Sequence, residues 1–95
     1  MNDGAHTQLH ALHLAASHAS VEAMRAVRKQ FAANLRRQRV RAGLSQEALA
    51  GICGLHRTEV SLLERCKRSP RLETIVILSR GLELASPAEL LDGII

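Results

Sequence analysis

The groups most able to do chemistry sit in the middle of the chain. Residues 31 to 68 carry Arg36, Arg37, Arg39, Arg41, Arg57, Arg65, Lys67 and Arg68 against Glu47, Glu59 and Glu64. Residues 69 to 95 reverse the balance, with Arg71 and Arg80 against Glu73, Glu83, Glu89 and Asp92, and residues 1 to 30 are nearly neutral. A concentrated basic segment beside an acidic tail offers one face to a polyanion and another to something else. By charge alone, a solvated basic surface describes the segment equally well.

Other chemistries find less support. His6, His10 and His13 fall on one face if residues 6 to 18 are helical, a spacing that could hold a zinc or nickel ion. No cysteine or well-placed carboxylate completes that shell, so no metal and no cofactor are expected. Cys53 and Cys66 form neither a CxxC pair nor a disulfide framework and read as free thiols of a cytoplasmic protein. Cys66, flanked by Arg65 and Lys67, has the setting of a lowered thiol pKa, but a redox role is disfavoured. There is no glycine-rich phosphate loop, no paired-acid constellation and no nucleophile with a base beside it, so the chain reads as a non-enzyme. No apolar run approaches the roughly 20 residues that span a bilayer, and the N-terminus lacks the basic start of a signal peptide. A membrane role is not expected.

The elements that position these groups should be helices. With 95 residues and one aromatic, Phe31, the chain has the size of a single small domain with an extension, its apolar content supplied by Leu, Ala, Val and Ile. Val21, Met24, Val27, Phe31 and Leu35 recur at helical spacing, which predicts a long first helix from a cap near Ser20 to Gly43. Ser45 should cap a second helix, SQEALAGIC, which ends at Gly54. A third, HRTEVSLLERC, follows at once. After KRSPR, the residues Leu72, Ile75, Val76, Leu78 and Leu82 supply a fourth, and Ser86-Pro87-Ala88-Glu89 reads as a capping box that opens a fifth. The division is then a flexible or partly helical segment over 1–19, a helical extension over 20–30, and a domain over 31–95. Gly51 and Gly81 lie inside predicted helices, where each costs about 1 kcal/mol relative to alanine.

Two short helices joined by a tight glycine turn have a specific use. One can lie in a major groove about 12 Å wide while the other directs its N-terminal amides at a phosphate. Gln46, in the first turn of helix two, can reach a phosphate or a base edge, and Arg57 and Thr58 occupy the first turn of helix three. An ordinary helical hairpin shares the same apolar pattern.

The stretch from Phe31 to Glu83 resembles the Cro and phage-repressor type of helix-turn-helix regulator, the Xre family, and within it the controller proteins of restriction-modification systems. The likeness covers roughly residues 31 to 92 and rests on Leu35-Arg36 with Arg39, Gly43-Leu44-Ser45-Gln46, Leu49-Ala50, Gly54-Leu55 and Leu63-Glu64-Arg65. It implies a five-helix, lambda-repressor-like domain that binds double-stranded DNA. It also implies that Arg39 pairs with Glu64, a structural salt bridge suited to the planar fork of arginine. Carried over position by position, Ser45 and Gln46 would hold the backbone and His56 would cap helix three. Arg57, Thr58 and Ser61 would face base edges, Lys67 and Arg68 would grip phosphate, and Arg36 joins this DNA-binding set. For Arg57, a bidentate contact to guanine and a phosphate contact stand as equal alternatives.

The chain departs from the pattern at three places. Cys66 stands where the family usually has glycine, so either it adopts a left-handed conformation or the helix ends differently. Glu59 would repel phosphate unless it accepts a hydrogen bond from a cytosine amino group. Leu62 could touch a thymine methyl or a partner protein.

A single such domain reads few base pairs, so a homodimer on a palindromic site is expected. The resemblance favours the last helix with Leu90, Leu91, Ile94 and Ile95 as the contact, and the Met24 and Val27 stripe is the alternative. The resulting reading is a dimeric, cytoplasmic, sequence-specific transcription regulator. The alternative is a protein-interaction module, an antitoxin or accessory subunit, contacting its protein partner through Leu62, Ile52 and the N-terminal helix.

Overall fold

The computed structural model describes the backbone of residues 3–94 and the side chains of residues 19–94. The described residues form four α-helices and one short 3₁₀ helix: α1 (Asp3–Arg41), α2 (Gln46–Cys53), α3 (Arg57–Glu64), α4 (Leu72–Gly81) and the 3₁₀ turn Pro87–Leu91. No strand occurs among them, as the aliphatic, nearly aromatic-free composition predicts.

The first helix is longer than the periodicity suggests. It begins at Asp3, not at a cap near Ser20, because from residue 3 to 41 the sequence is rich in alanine, contains no proline and has only Gly4 as a glycine. At 1.5 Å per residue its 39 residues span about 58 Å, which accounts for most of the molecule's 65 Å length. Gly43, at φ 72°, closes it in the left-handed conformation that glycine adopts without strain.

One core holds the C-terminal third of α1 to everything that follows. Phe31 and Leu35 of α1 pack with Leu49 and Ala50 of α2, Val60 and Leu63 of α3, Leu78 of α4, and Leu82 and Leu90 behind it. Helix α1 packs on α3 and on the 3₁₀ turn, and α2 packs on α3 and α4. Gly81, read from sequence only as a helix-weakening residue, has a packing reason to be glycine: a Cβ there would collide with the Cys53 sulfur across the α2–α4 contact.

The expected fifth α-helix is a five-residue 3₁₀ helix instead. Its start follows the sequence, since Ser86 Oγ accepts from the Ala88 amide at 3.1 Å and Glu89 accepts from the Ala85 amide at 2.8 Å. The backbone then turns left-handed at Gly93, φ 78°, too soon for an α-helix to propagate. The segment is tied down by Asn34, a wholly buried residue of α1 whose amide donates to the Leu90 carbonyl at 3.0 Å and the Asp92 carbonyl at 2.7 Å. Its own oxygen accepts from Gln30 and Arg37, so the buried amide is fully satisfied.

Candidate nucleic-acid interface

The turn between α2 and α3 is built by local chemistry. Gly54 takes φ 69°, its amide bonds the Gly51 carbonyl, and the Leu55 amide bonds the Ala50 carbonyl at 2.9 Å. This pair of bonds is a Schellman closure, and Leu55 drops onto the core to complete it. One residue later His56 caps α3, its Nδ1 accepting from the Thr58 amide at 3.1 Å. That acceptor role places the proton of the neutral ring on Nε2, which stays free to donate outward. Ser45 caps α2 in the same manner, accepting from the Ala48 amide at 2.9 Å.

These two caps fix how the exposed side chains are presented. Arg57 and Thr58 open α3 and are both exposed, and Ser61, one turn on, is half-buried. Lys67 and Arg68 follow the helix, also exposed, and Arg36 is exposed on α1. The end of α3 is a second Schellman closure, with the Lys67 amide on the Leu62 carbonyl at 2.9 Å and the Cys66 amide on the Leu63 carbonyl at 3.2 Å. Of the two backbones open to Cys66, it takes the left-handed one, φ 61°, at roughly 1–2 kcal/mol of strain that glycine would avoid.

A charged cluster locks the two ends of this surface together. Arg39 Nε donates to Glu64 at 2.6 Å and its Nη2 at 2.9 Å, a bidentate pair with side chains 13% and 4% exposed. The remaining Nη1 donates to the Leu44 carbonyl at 2.8 Å, and Gln46 Nε2 donates to Glu64 at 3.2 Å. The hydrogen bond that Arg39 donates to Glu64 raises the Arg39 pKa, against the smaller opposing effect of burial. The Glu64 carboxylate thus ties α1 and the first residue of α2 to the end of α3, and Arg39 adds the loop before α2 through Leu44. Gln46, expected on the backbone of a nucleic acid, is held here by Glu64 and only half-buried.

Sequence reasoning missed two features. Glu59 and Arg68 share an open groove of about 460 Å³ with Arg71, Ser69, Pro70, Thr74 and Leu63, so Glu59 lines the same groove as two guanidinium-bearing residues. Arg71 was legible only as part of a polar connection. Asn34 was hidden because its partners lie more than fifty residues away.

The other expected residues divide. Leu90 is 0% exposed within the chain's own core, so it presents nothing to a partner in this fold; a partner at this end would meet Leu91 and Ile94, which are half-buried. Ile95 and the side chains of His6, His10 and His13 lie outside the described residues. Met24 and Val27 are 59% and 44% exposed on the part of α1 that leaves the core. Cys53 is half-buried beside the Ile77 carbonyl, and burial pushes its thiol pKa up, the direction that makes it less nucleophilic. No described helix is long and apolar enough to cross a membrane.

Comparison with known proteins agrees with this geometry. Residues 30–92 match the family model of the helix-turn-helix domain. This chain belongs to that family. It is 41% identical over 61 residues to the control protein C.SmaI of Serratia marcescens, covering 64% of this chain and 73% of that one. Among solved structures it resembles the restriction-modification controller protein C.AhdI of Aeromonas hydrophila, at 40% identity, a TM-score of 0.66, and 68% and 97% coverage of the two chains. A hypothetical transcription factor, NHTF, from Neisseria is equally similar in sequence, at 40% identity, a TM-score of 0.65 and 68% and 74% coverage. The C.AhdI chain is thus almost wholly accounted for by about two thirds of this one.

Proposed function

We propose that this chain is a DNA-binding transcription regulator that acts as a homodimer on a palindromic operator, with α3 in the major groove of each half-site. The observation that carries the reading is the α2–Gly54–α3 unit itself. Two capped helices meet across this turn, the Arg39–Glu64 pair ties the second of them to α1, and Arg57 and Thr58 stand exposed at its start. Arg57 and Thr58, with Ser61, address base edges. Ser45, His56, Lys67, Arg68 and Arg36 address phosphate, and Gln46 reaches it by exchanging its bond to Glu64 for one to the backbone. The membership of the chain in the helix-turn-helix family, and its likeness to controller proteins, support the same reading.

The division of labour follows. Residues 31–95 form the DNA-binding unit and 20–30 an extension of α1. The dimer contact combines Leu91, Ile94 and Ile95 with the exposed face of the extension. No catalytic role and no cofactor belong to this reading, and its place is the cytoplasm, where the thiols of Cys53 and Cys66 stay reduced.

Selection of the purified chain against a randomised duplex library tests it. An enriched inverted repeat with half-sites about one helical turn apart is the expected result. Retention without enrichment removes sequence-specific regulation and leaves only general DNA affinity. Within an enriched site, Arg57→Ala should relax preference at one position per half-site, whereas Lys67→Ala should weaken every sequence alike and reduce the salt slope by about one unit.

The protein-interaction alternative draws on one observation: Ile52 of α2 is 57% exposed, apolar and outside the core. A stable protein partner recovered with this chain, together with weak and sequence-independent DNA binding, would favour it.

A further inference from the structure

Along α1, Arg25, Lys29 and Arg36 are separated by four and seven residues and all three are exposed. At 100° per residue these steps amount to about +40° and −20°, so the three side chains share one face over about 16 Å of helix. The direction of that face is fixed by its neighbours. Arg39, about 60° from Arg36 around the helix, bonds Glu64 at the end of α3, whereas Asn34, about 160° away, bonds the C-terminal segment. The stripe therefore lies on the α3 flank of α1, the flank that leads to Arg65, Lys67 and Arg68, and away from the acidic tail.

The opposite flank is basic too but compensated. Arg37 and Arg41 line a surface groove with Glu89 and Asp92, and Arg41 another with Glu83 and Glu89. On the α3 flank, Glu64 is committed to Arg39 and Gln46, and the acid near the stripe is Glu22, 3.9 Å from Arg25 and largely exposed. Arg25 and Lys29 also precede the residues that match the family model, so they are not part of what the helix-turn-helix domain needs to fold.

We infer that the stripe Arg25–Lys29–Arg36 binds the phosphate backbone of duplex DNA outside the groove that α3 enters, lengthening the footprint of each protomer beyond its helix-turn-helix unit. This rests on the DNA-binding reading above. The stripe lies on the flank of α1 that packs toward α3, it carries the right charge, and its length of about 16 Å spans several phosphates of one strand, spaced about 3.4 Å along the duplex axis.

The test is the salt dependence of binding to a mixed-sequence duplex of about 40 base pairs, where sequence readout is absent and the slope counts phosphates neutralised. Three full-length proteins are compared: the parent chain, the Arg25→Ala/Lys29→Ala double variant, and the charge-preserving Arg25→Lys/Lys29→Arg variant. The alanine variant is expected to lose about 1 to 2 units of slope per bound protomer, at roughly 0.9 per phosphate contact, and the charge-preserving variant to keep the parent slope. An alanine variant with the parent slope would overturn the inference. So would an equal loss in both variants, which would trace the effect to the shape of α1 and not to its charge. If the parent chain itself fails to bind the duplex, it is the DNA-binding reading that falls, a different outcome from either.

Discussion

The two halves of α1 make an instructive contrast, because one apolar stripe runs through both and only one of them is buried. In the C-terminal half, Phe31 and Leu35 are 1% and 0% exposed, Asn34 anchors the chain's end, and Arg39 reaches α3. In the stretch before it, Val21, Met24 and Val27 continue the stripe at 51%, 59% and 44% exposure, left open by the described residues. Helical periodicity is therefore a statement about which face of a helix is apolar, and the rest of the chain decides whether that face is used. Isolated helices gain little from propensity alone, so the exposed half depends on continuity with the anchored one.

That contrast can be broken or sharpened by substitution. The largest effect is expected at the centre of the buried part, where Leu35→Ala should remove about 3–5 kcal/mol of stability in urea unfolding, a large share of the total for a domain of this size. Arg39→Ala should follow at about 2–4 kcal/mol, since it strands Glu64, 4% exposed, without its partner; an effect below about 1 kcal/mol would mean that water reaches the carboxylate readily. Asn34→Ala should cost about 1–3 kcal/mol by leaving the Leu90 and Asp92 carbonyls without their donor, and should raise amide exchange in the 3₁₀ turn before the rest of the fold opens. Met24→Ala should be the smallest, within about 0.5 kcal/mol at protein concentrations where the chain is a monomer. A concentration-dependent loss of stability in Met24→Ala alone would show that a second copy covers the exposed half.

Much of the fold could be read in advance where the signals are local. Ser45, His56 and Ser86 cap the elements they were expected to cap, and Gly43 and Gly54 end theirs, because a cap involves residues two to four apart. The 3₁₀ helix was not distinguishable from an α-helix, since proline and a capping serine start either one and only the early turn at Gly93 separates them. The Arg39–Glu64 pair was available from family resemblance, not from spacing. Asn34, the necessity of Gly81 and the groove shared by Glu59 and Arg71 were out of reach, as each depends on a neighbour brought close only by the completed fold. The start of α1 at Asp3 was missed because an N-cap signal at Ser20 is only a preference, and continuous alanine-rich sequence overrides it.

The carboxylate of Glu64 carries a last consequence. It accepts from both Arg39 and Gln46, so these two residues share, and steady, the same oxygen, Oε1. Their contributions cannot then be separable: in a double-mutant cycle the cost of losing Gln46 should depend on whether Arg39 is present, with a coupling energy of about 0.5–3 kcal/mol. A ligand that draws Gln46 outward would feel that coupling as well, and the affinity of the surface would be set partly by an ion pair that the ligand never touches.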